Sequence, residues 1–509
     1  MRARAKLWGV LTALVMLVVL ALWTRPVPTD SAFVTYDYAR NVAAGQGLVF
    51  NPGDTPTEDY TSLLWVWVCS AMFAAGWDVP AVAPYVSLIL GALCVFLLFD
   101  LLRLRAEREV QWMAPLLLFA SSAPLVMISM TGTDASLFSL LLLGCTWSLD
   151  RMARRPSPVL VALLALAAVL SIICRFEGVV VAAAAVMLLP RLVPARTRGR
   201  RQVLAAAGVI TVVAVAYHGW RVATFGTLVP DIVALQAGVN AGVFERLRPY
   251  DTVPFGLLYL VVALLAAVGF RLGERSTGER FALSVALLLG VLYLFIEDPT
   301  PGLANHAALL PLAIVPWPYA FRALAGQPNP ERPQRVAHVL LMSAVLLIGI
   351  GLAADNRVTI QRFQESHRET LRPLGEWLAG WRPGLTLALD RPGALSYYAN
   401  GRTLDLRDRS RLGSPQRDRA LALRELAPDV VLLAADGQTK NVYDPGAEQF
   451  QPVLVQSYYL VAAVRMTWSH DRSIIVRMRK DIRPPEDARD TFPHGIGVPF
   501  FGYKPDAPE

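Results

Sequence analysis

Apolar runs of roughly 17 to 23 residues recur along the chain from residue 7 to residue 354, each long enough to cross ~30 Å of hydrocarbon. Two kinds of connection separate them. One kind is arginine-rich: Arg103 to Arg108, Arg151 to Arg155, Arg191 to Arg201, Arg271 to Arg280, and Arg322 to Arg335. Loops of this composition stay on the cytoplasmic side of a membrane. The other kind lies midway between them: Thr131 to Asp134, Arg175 to Gly178, Arg221 to Val253, and Glu297 to His306. Alternation turns these four outward. The interval from Thr61 to Leu102 must then make an odd number of crossings, yet it holds one short apolar piece (61–76) and one full-length piece (80–102). The short piece is therefore expected to be re-entrant or interfacial. The pattern predicts an all-α polytopic membrane domain over residues 1–354, with about eleven transmembrane helices, the N-terminus inside, and a long first outer loop at 25–60. Met1 to Trp23 starts basic and runs apolar, as a signal peptide does, but no small-x-small cleavage site follows, so it reads as a retained first span.

Within the first outer loop, Ser31 to Val42 has the spacing of a short amphipathic helix. After residue 354 the period changes. Residues 355–481 read as a small α/β domain, with a helix near Thr359 to Gly380, strands at Leu385 to Leu389, Thr403 to Leu406 and Val430 to Leu433, and a helix at Gln416 to Leu426. Alternation places this domain outside the cytoplasm. Residues 482–509 are proline-rich, lack periodicity, and are expected to form an irregular tail. Neither an inverted nor a tandem repeat of the transporter kind is evident.

Composition narrows the classes. The 509 residues are 54% hydrophobic and only 17% charged, with mean hydropathy +0.43, too apolar for an ordinary soluble protein of this size. The net charge of +8 comes almost wholly from arginine, and the basic residues sit in clusters between apolar runs rather than in a stripe interleaved with aromatics. That distribution excludes nucleic-acid binding. The four cysteines, Cys69, Cys94, Cys145 and Cys174, all fall inside apolar segments, so the chain carries neither a disulfide framework nor a zinc spacing. No compact metal-ligand spacing is present, so the sequence commits to no cofactor and leaves a divalent metal undecided.

With the topology fixed, the outward face gathers Asp30, Asp37, Glu58 and Asp59 from the first loop, then Asp134, Arg175, Glu177, Arg221, Asp231 and His306. Ionisable residues at span ends are costly and mark function or pairing. Each taken singly also has a plainer explanation, because a charge at a span end can snorkel into the headgroups. That explanation weighs most for Asp37, Asp54 and Asp251.

The stretch T-D-S-A-F-V-T-Y-D-Y-A-R-N-V-A-A-G-Q-G-L-V-F-N-P-G at 29–53, followed by T-E-D-Y-T-S-L-L-W at 57–65, resembles the first outer loop of bacterial polyprenyl-phosphate-dependent glycosyltransferases of the GT-C superfamily. It is most similar to the arabinofuranosyltransferase-like branch. Further matches occur in the family's order: T-G-T-D-A-S-L-F at 131–138, C-R-F-E-G at 174–178, W-R-V-A-T-F-G-T-L-V-P-D at 220–231, and G-A-L-S-Y-Y-A-N-G-R-T-L-D-L at 393–406. The resemblance implies a multi-pass protein of the bacterial cytoplasmic membrane that moves a sugar from a polyprenyl-phosphate donor to a glycan, lipid or protein acceptor on the outer face. Asp30 would act as general base on the acceptor hydroxyl, with Asp134 assisting. Arg175, Arg221 and His306 would stabilise the departing phosphate, with Glu58 and Glu177 among the substrate-binding groups.

The chain departs from the family pattern at several positions. Asp30 is followed by Ser31 rather than a second acid. Asp134 stands for a glutamate, Asp37 for an arginine, and Phe176 for a proline, while Asp231 and Gln236 stand for an asparagine and a lysine. Two other classes compete with the transferase. A non-catalytic relative that binds a lipid-linked sugar would tolerate the changes at Ser31 and Gln236. A lipid or solute transporter would carry charges near mid-span, whereas these runs are nearly charge-free and the charges crowd one face.

Overall fold

The computed structural model describes residues 2–25, 27–189, 198–230, 253–273, 276–293, 304–325, 366–382, 384–389, 393–406, 419–436, 451–465, 472–482, 487–493 and 497–499. The first helices are α1 (Arg2–Thr24), α2 (Asp30–Ala43), α3 (Leu63–Ala74), α4 (Val79–Arg103), α5 (Glu109–Ser121), α6 (Ala123–Ile128) and α7 (Ala135–Arg154). Next come α8 (Pro158–Cys174), α9 (Gly178–Leu188), α10 (Arg198–Phe225), α11 (Val253–Leu272), α12 (Thr277–Tyr293), α13 (Ala304–Ile314) and α14 (Trp317–Ala325). The remainder are α15 (Arg372–Trp381), α16 (Ala394–Ala399), α17 (Arg419–Leu426), α18 (Gln451–Ser457) and α19 (Ala488–Thr491). The chain divides into two compact units, Met1–Thr29 with Pro56–Arg357, and Asp30–Thr55 with Val358–Glu509.

The first unit is helical. Among the described residues, three helices are long and apolar enough to cross a membrane: Lys6–Thr24, Val79–Arg103 and Arg200–Phe225. Its core runs through Leu17, Leu98, Phe119, Phe138, Leu164 and Phe281. Its outer surface is apolar too: Val15, Ile89, Leu163, Val212 and Leu287 are each more than 40% exposed, an arrangement that suits a hydrocarbon solvent and not water. The short piece expected at 61–76 forms α3, whose 12 residues reach only about 18 Å.

One ion network pins this unit at the arginine-rich end of its helices. Arg105, fully buried, donates from Nε to Glu279 Oε1 at 2.7 Å, from Nη2 to Asp150 Oδ1 at 2.7 Å, and from Nη1 to the Leu101 carbonyl at 2.7 Å. It thereby ties the end of α4 to α7 and α12. Nearby, Asp100 accepts from Arg103, Trp147 and Arg151. The sequence marks Arg103 to Arg108 only as a basic loop, whereas Arg105 is a cross-link between helices.

The second unit is α/β. Its sheet has the order β2-β1-β3-β5-β4-β6, with β1 at Thr386–Leu389, β2 at Arg402–Asp405, β3 at Val430–Asp436, β4 at Tyr458–Arg465, β5 at Arg472–Arg479 and β6 at Gly497–Pro499. Strand β1 is parallel to β2 and β3, and the remaining pairs are antiparallel. Ala388, Val431, Leu433, Leu423, Leu454 and Tyr458 form its core. The first three strands lie where the sequence places them. β4 and β5 are additional, and β6 lies inside the stretch expected to be an irregular tail. A three-residue strand closed by a proline is too short to register as periodicity. The helix expected near Thr359 to Gly380 appears, over its described residues, as a π-helical turn at Ser366–Leu371 running into α15; residues 359–365 lie outside the described residues, as do 416–418 of the other expected helix.

Residues 30–55 of the first outer loop, expected to belong with the membrane domain, belong to this second unit instead. Phe33 on α2 stacks on His367 with ring centroids 5.0 Å apart and meets Tyr397 and Tyr398 at 5.3 and 5.5 Å. Asn51 pairs with the β2 backbone, donating to the Thr403 carbonyl at 2.9 Å and accepting from its N–H at 2.8 Å. Burial, with Arg372 and Arg368 nearby, holds the His367 imidazole down at about 4. It therefore packs as a neutral ring.

Candidate functional site

In the helical unit, the turn Thr131–Asp134 is held by its carbonyls: Trp65 Nε1 donates to Gly132 O at 2.9 Å and Ser87 Oγ to Thr133 O at 3.1 Å. Asp134 occupies the N-cap of α7 without a capping bond from its side chain, so the carboxylate is free to turn toward other helices. It accepts from Arg175 Nε at 2.6 Å through Oδ2 and from Thr61 Oγ1 at 3.2 Å through Oδ1. Arg175 in turn donates from Nη1 to Asn305 Oδ1 at 2.6 Å, and its guanidinium lies 5.2 Å over the Phe138 ring.

Arg175 and Glu177 are presented by the tight turn between α8 and α9. Gly178 makes that turn feasible, because a Cβ at this position would lie 1.9 Å from the Ser171 carbonyl oxygen. Glu177 is buried and interacts with Arg175 and Tyr293. The ring of His306, in the first turn of α13, meets that of Tyr293 edge-on at 5.6 Å. Asp134, Arg175, Glu177 and His306, separated by more than 170 positions in sequence, thus belong to one cluster. Tyr293, Asn305 and Thr61 join it; being uncharged residues without a spacing signature, they carry no mark in the sequence.

A second pair adjoins through Phe176. Arg221 donates to Glu58 from Nε at 3.1 Å to each carboxylate oxygen and from Nη2 at 2.6 Å, and from Nη1 to the Leu228 carbonyl at 2.8 Å. Phe176 packs with its ring 5.8 Å from the guanidinium. All three guanidinium nitrogens are engaged and the residue is 1% exposed. The sequence puts Arg221 at the start of an outer loop; it lies instead near the end of α10, which runs to Phe225, with Glu58 neutralising its buried charge. Asp231 and Gln236 lie outside the described residues.

Asp30 opens α2 in the second unit. Its Oδ1 accepts from the Ala394 N–H at 3.2 Å, and Gly393 is the residue that permits this approach, since a Cβ there would lie 3.0 Å from the Asp30 carboxyl. Further along α2, Asp37 is buried and bonded to Arg40 at 2.5 Å. Burial outweighs the arginine and pushes its carboxyl up to about 7. Asp37 is thus a partnered interior group and not a snorkelling surface charge.

No protein-family model matches the chain. The terminal beta-(1->2)-arabinofuranosyltransferase of Mycobacterium tuberculosis is 29% identical over 288 aligned residues, which take in 50% of this chain and 44% of that protein. The match therefore spans less than half of the relative's length. Among solved structures, ArnT from Cupriavidus metallidurans superposes with a TM-score of 0.58 in the apo state and 0.55 bound to undecaprenyl phosphate, at 14% and 13% identity. Both superpositions cover 92% of this chain and 97% of the other. The chain is a multi-pass membrane protein. It has the GT-C fold and is similar in sequence to the arabinofuranosyltransferase-like branch of that superfamily.

Proposed function

We propose that this chain is a membrane glycosyltransferase that moves a sugar from a polyprenyl-phosphate donor to an envelope glycan, lipid or protein acceptor. The observation that carries the reading is the joint likeness, in sequence to a named arabinofuranosyltransferase and in fold, over 97% of its chain, to ArnT. That ArnT is also known bound to undecaprenyl phosphate supports a lipid-phosphate donor here. The reading includes the finer topology: about eleven crossings of the bacterial cytoplasmic membrane, with the outward-facing turns and the α/β unit on the extracytoplasmic side.

The residues divide by role. Asp30, its carboxylate accepting from the Ala394 N–H and partly exposed, is the general base that takes the acceptor hydroxyl proton as the anomeric carbon loses its phosphate. Arg175 carries permanent charge, and the bonds from Nε to Asp134 and from Nη1 to Asn305 fix its guanidinium, which presents that charge to a phosphate. Asp134 positions Arg175, and His306 and Glu177 flank it. Arg221, whose nitrogens are taken by Glu58 and Leu228, holds the first loop's return segment to α10 and does not touch the donor. Radiolabelled sugar transfer by the purified protein in nanodiscs, with a polyprenyl-phosphate pentose as donor, tests the reading. Absence of transfer across a panel of pentose and hexose donors would refute it.

A further inference from the structure

The second unit contains a polar cavity of about 260 Å³ between α2, the loop that follows it, and the α16–β2 turn, lined among others by Asp37, Arg40, Asn41, Phe50, Asn400 and Arg402. Its size, below the ~300 Å³ at which clefts for drug-sized ligands begin, admits one small ring and excludes a lipid chain.

Its charges are matched within the protein. Arg40 pairs with Asp37 at 2.5 Å, and Arg402 pairs with Asp54 at 2.7 Å. Both arginines of the lining are therefore already ion-paired, Arg402 with a carboxylate outside it, and neither is an uncompensated charge that would select a phosphate. What it offers is a mixture of donors and acceptors. The bond to Asp37 engages Arg40 Nη2, and the guanidinium lies 4.8 Å over the Tyr397 ring, its remaining N–H groups directed by a fixed plane. Asn41 donates both amide hydrogens, to the Val49 and Phe50 carbonyls at 2.9 and 2.8 Å, so its amide oxygen remains an acceptor. Asn400, in the left-handed conformation at φ 47, adds an amide at the rim. Alternating donors and acceptors beside an aromatic ring fit hydroxyl groups, which give and take hydrogen bonds at once.

The walls are fixed before any ligand arrives. Asn51 is clamped to both backbone groups of Thr403, and Asp37, Asn41, Phe50, Asn51 and Thr403 are each less than 7% exposed. Asp37 also stands seven residues after Asp30 on α2, which places both on one side of the helix about 10 Å apart.

We propose that this cavity binds an interior sugar residue of a neutral carbohydrate acceptor, one short step behind the hydroxyl presented at Asp30. The assignment rests on the glycosyltransferase reading for its role in transfer, but binding at the cavity stands or falls separately. The test is a titration of the full-length protein in nanodiscs with an arabinofuranosyl trisaccharide, a mannosyl trisaccharide and inorganic phosphate, read by saturation-transfer NMR. Variants are Asn400→Gly, which keeps the left-handed turn, Arg402→Ala at the exposed rim, and the isosteric Asp37→Asn. At least one trisaccharide should bind the wild type, with affinity falling tenfold or more in Asn400→Gly and Asp37→Asn while neither variant melts below the wild type. Transfer to the same trisaccharide should show the loss mainly in KM. Trisaccharide binding that is unchanged in all three variants, or binding of phosphate in place of either sugar, would overturn the proposal. A wild type that binds trisaccharide at this cavity but never transfers to it would sink the transferase reading and leave the cavity standing.

Discussion

Removing one half of the Arg221–Glu58 pair separates a structural role for Arg221 from a role on the donor. The two side chains are 1% and 4% exposed, and the contact includes two guanidinium nitrogens. In Arg221→Ala, Glu58 is left buried without its counter-ion, and the loss of one member of a buried pair costs about 3–5 kcal/mol. Arg221→Lys keeps the charge but not the planar fork, so its cost should fall between that of alanine and zero. Replacing both partners by neutral side chains of similar shape, Arg221→Met with Glu58→Gln, removes the uncompensated charge, and such replacements are often close to neutral. Chemical unfolding in detergent followed by tryptophan fluorescence, with sugar transfer measured on the same samples, would read both quantities. The expected result is a lowered midpoint for each single variant, recovery in the double variant, and transfer that tracks the folded fraction. An Arg221→Ala protein with a wild-type midpoint and abolished transfer would refute the reasoning, and would return the guanidinium to the donor phosphate.

Gly178→Ala should collapse the Arg175–Glu177 turn, since its Cβ would lie 1.9 Å from the Ser171 carbonyl; lower yield of folded protein and lost transfer are expected, and a fully active variant would contradict the geometry. Burial raises the Asp37 carboxyl from 3.8 to about 7, so the folded unit holds this proton more tightly than the unfolded chain, and the associated stability is present at acid pH and lost as pH climbs through that interval. The melting temperature of Asp37→Asn should gain on wild type over the same interval, and parallel curves would exclude the assignment. For topology, a cysteine at the exposed Arg155 should resist an impermeant thiol reagent in intact cells while one at the exposed Arg424 reacts; the reverse pattern would invert the membrane orientation.

The helical framework is legible because span length and arginine placement are properties of consecutive residues: α4 covers 79–103 where the sequence offers an apolar run at 80–102. The grouping of Asp30–Thr55 with the C-terminal unit is not legible, because it rests on side-chain contacts such as Asn51 with Thr403, 352 positions apart. Strand β4, Y-Y-L-V-A-A-V-R, escapes notice for another reason. It is a nearly continuous apolar run, and such a run does not distinguish a buried strand from a helical segment. Among the site residues, charges at span ends are visible as types, and Asp134, Arg175 and Glu177 do converge. Their partners are hidden, since nothing local to Arg221 indicates Glu58, and Asn305 and Tyr293 carry no charge to attract attention.

The claim that Asp30 is the base on which transfer depends is tested most directly by Asp30→Asn. The substitution keeps the shape of the side chain, and the amide oxygen can still accept from the Ala394 N–H, so folding is preserved while basicity is removed. General-base catalysis contributes about 10²- to 10⁴-fold. Single-turnover transfer from a polyprenyl-phosphate sugar to an acceptor glycan should therefore slow by at least the lower figure, with unchanged melting temperature and donor binding, and Asp134→Asn should slow it less. A near-wild-type rate for Asp30→Asn would contradict the assignment.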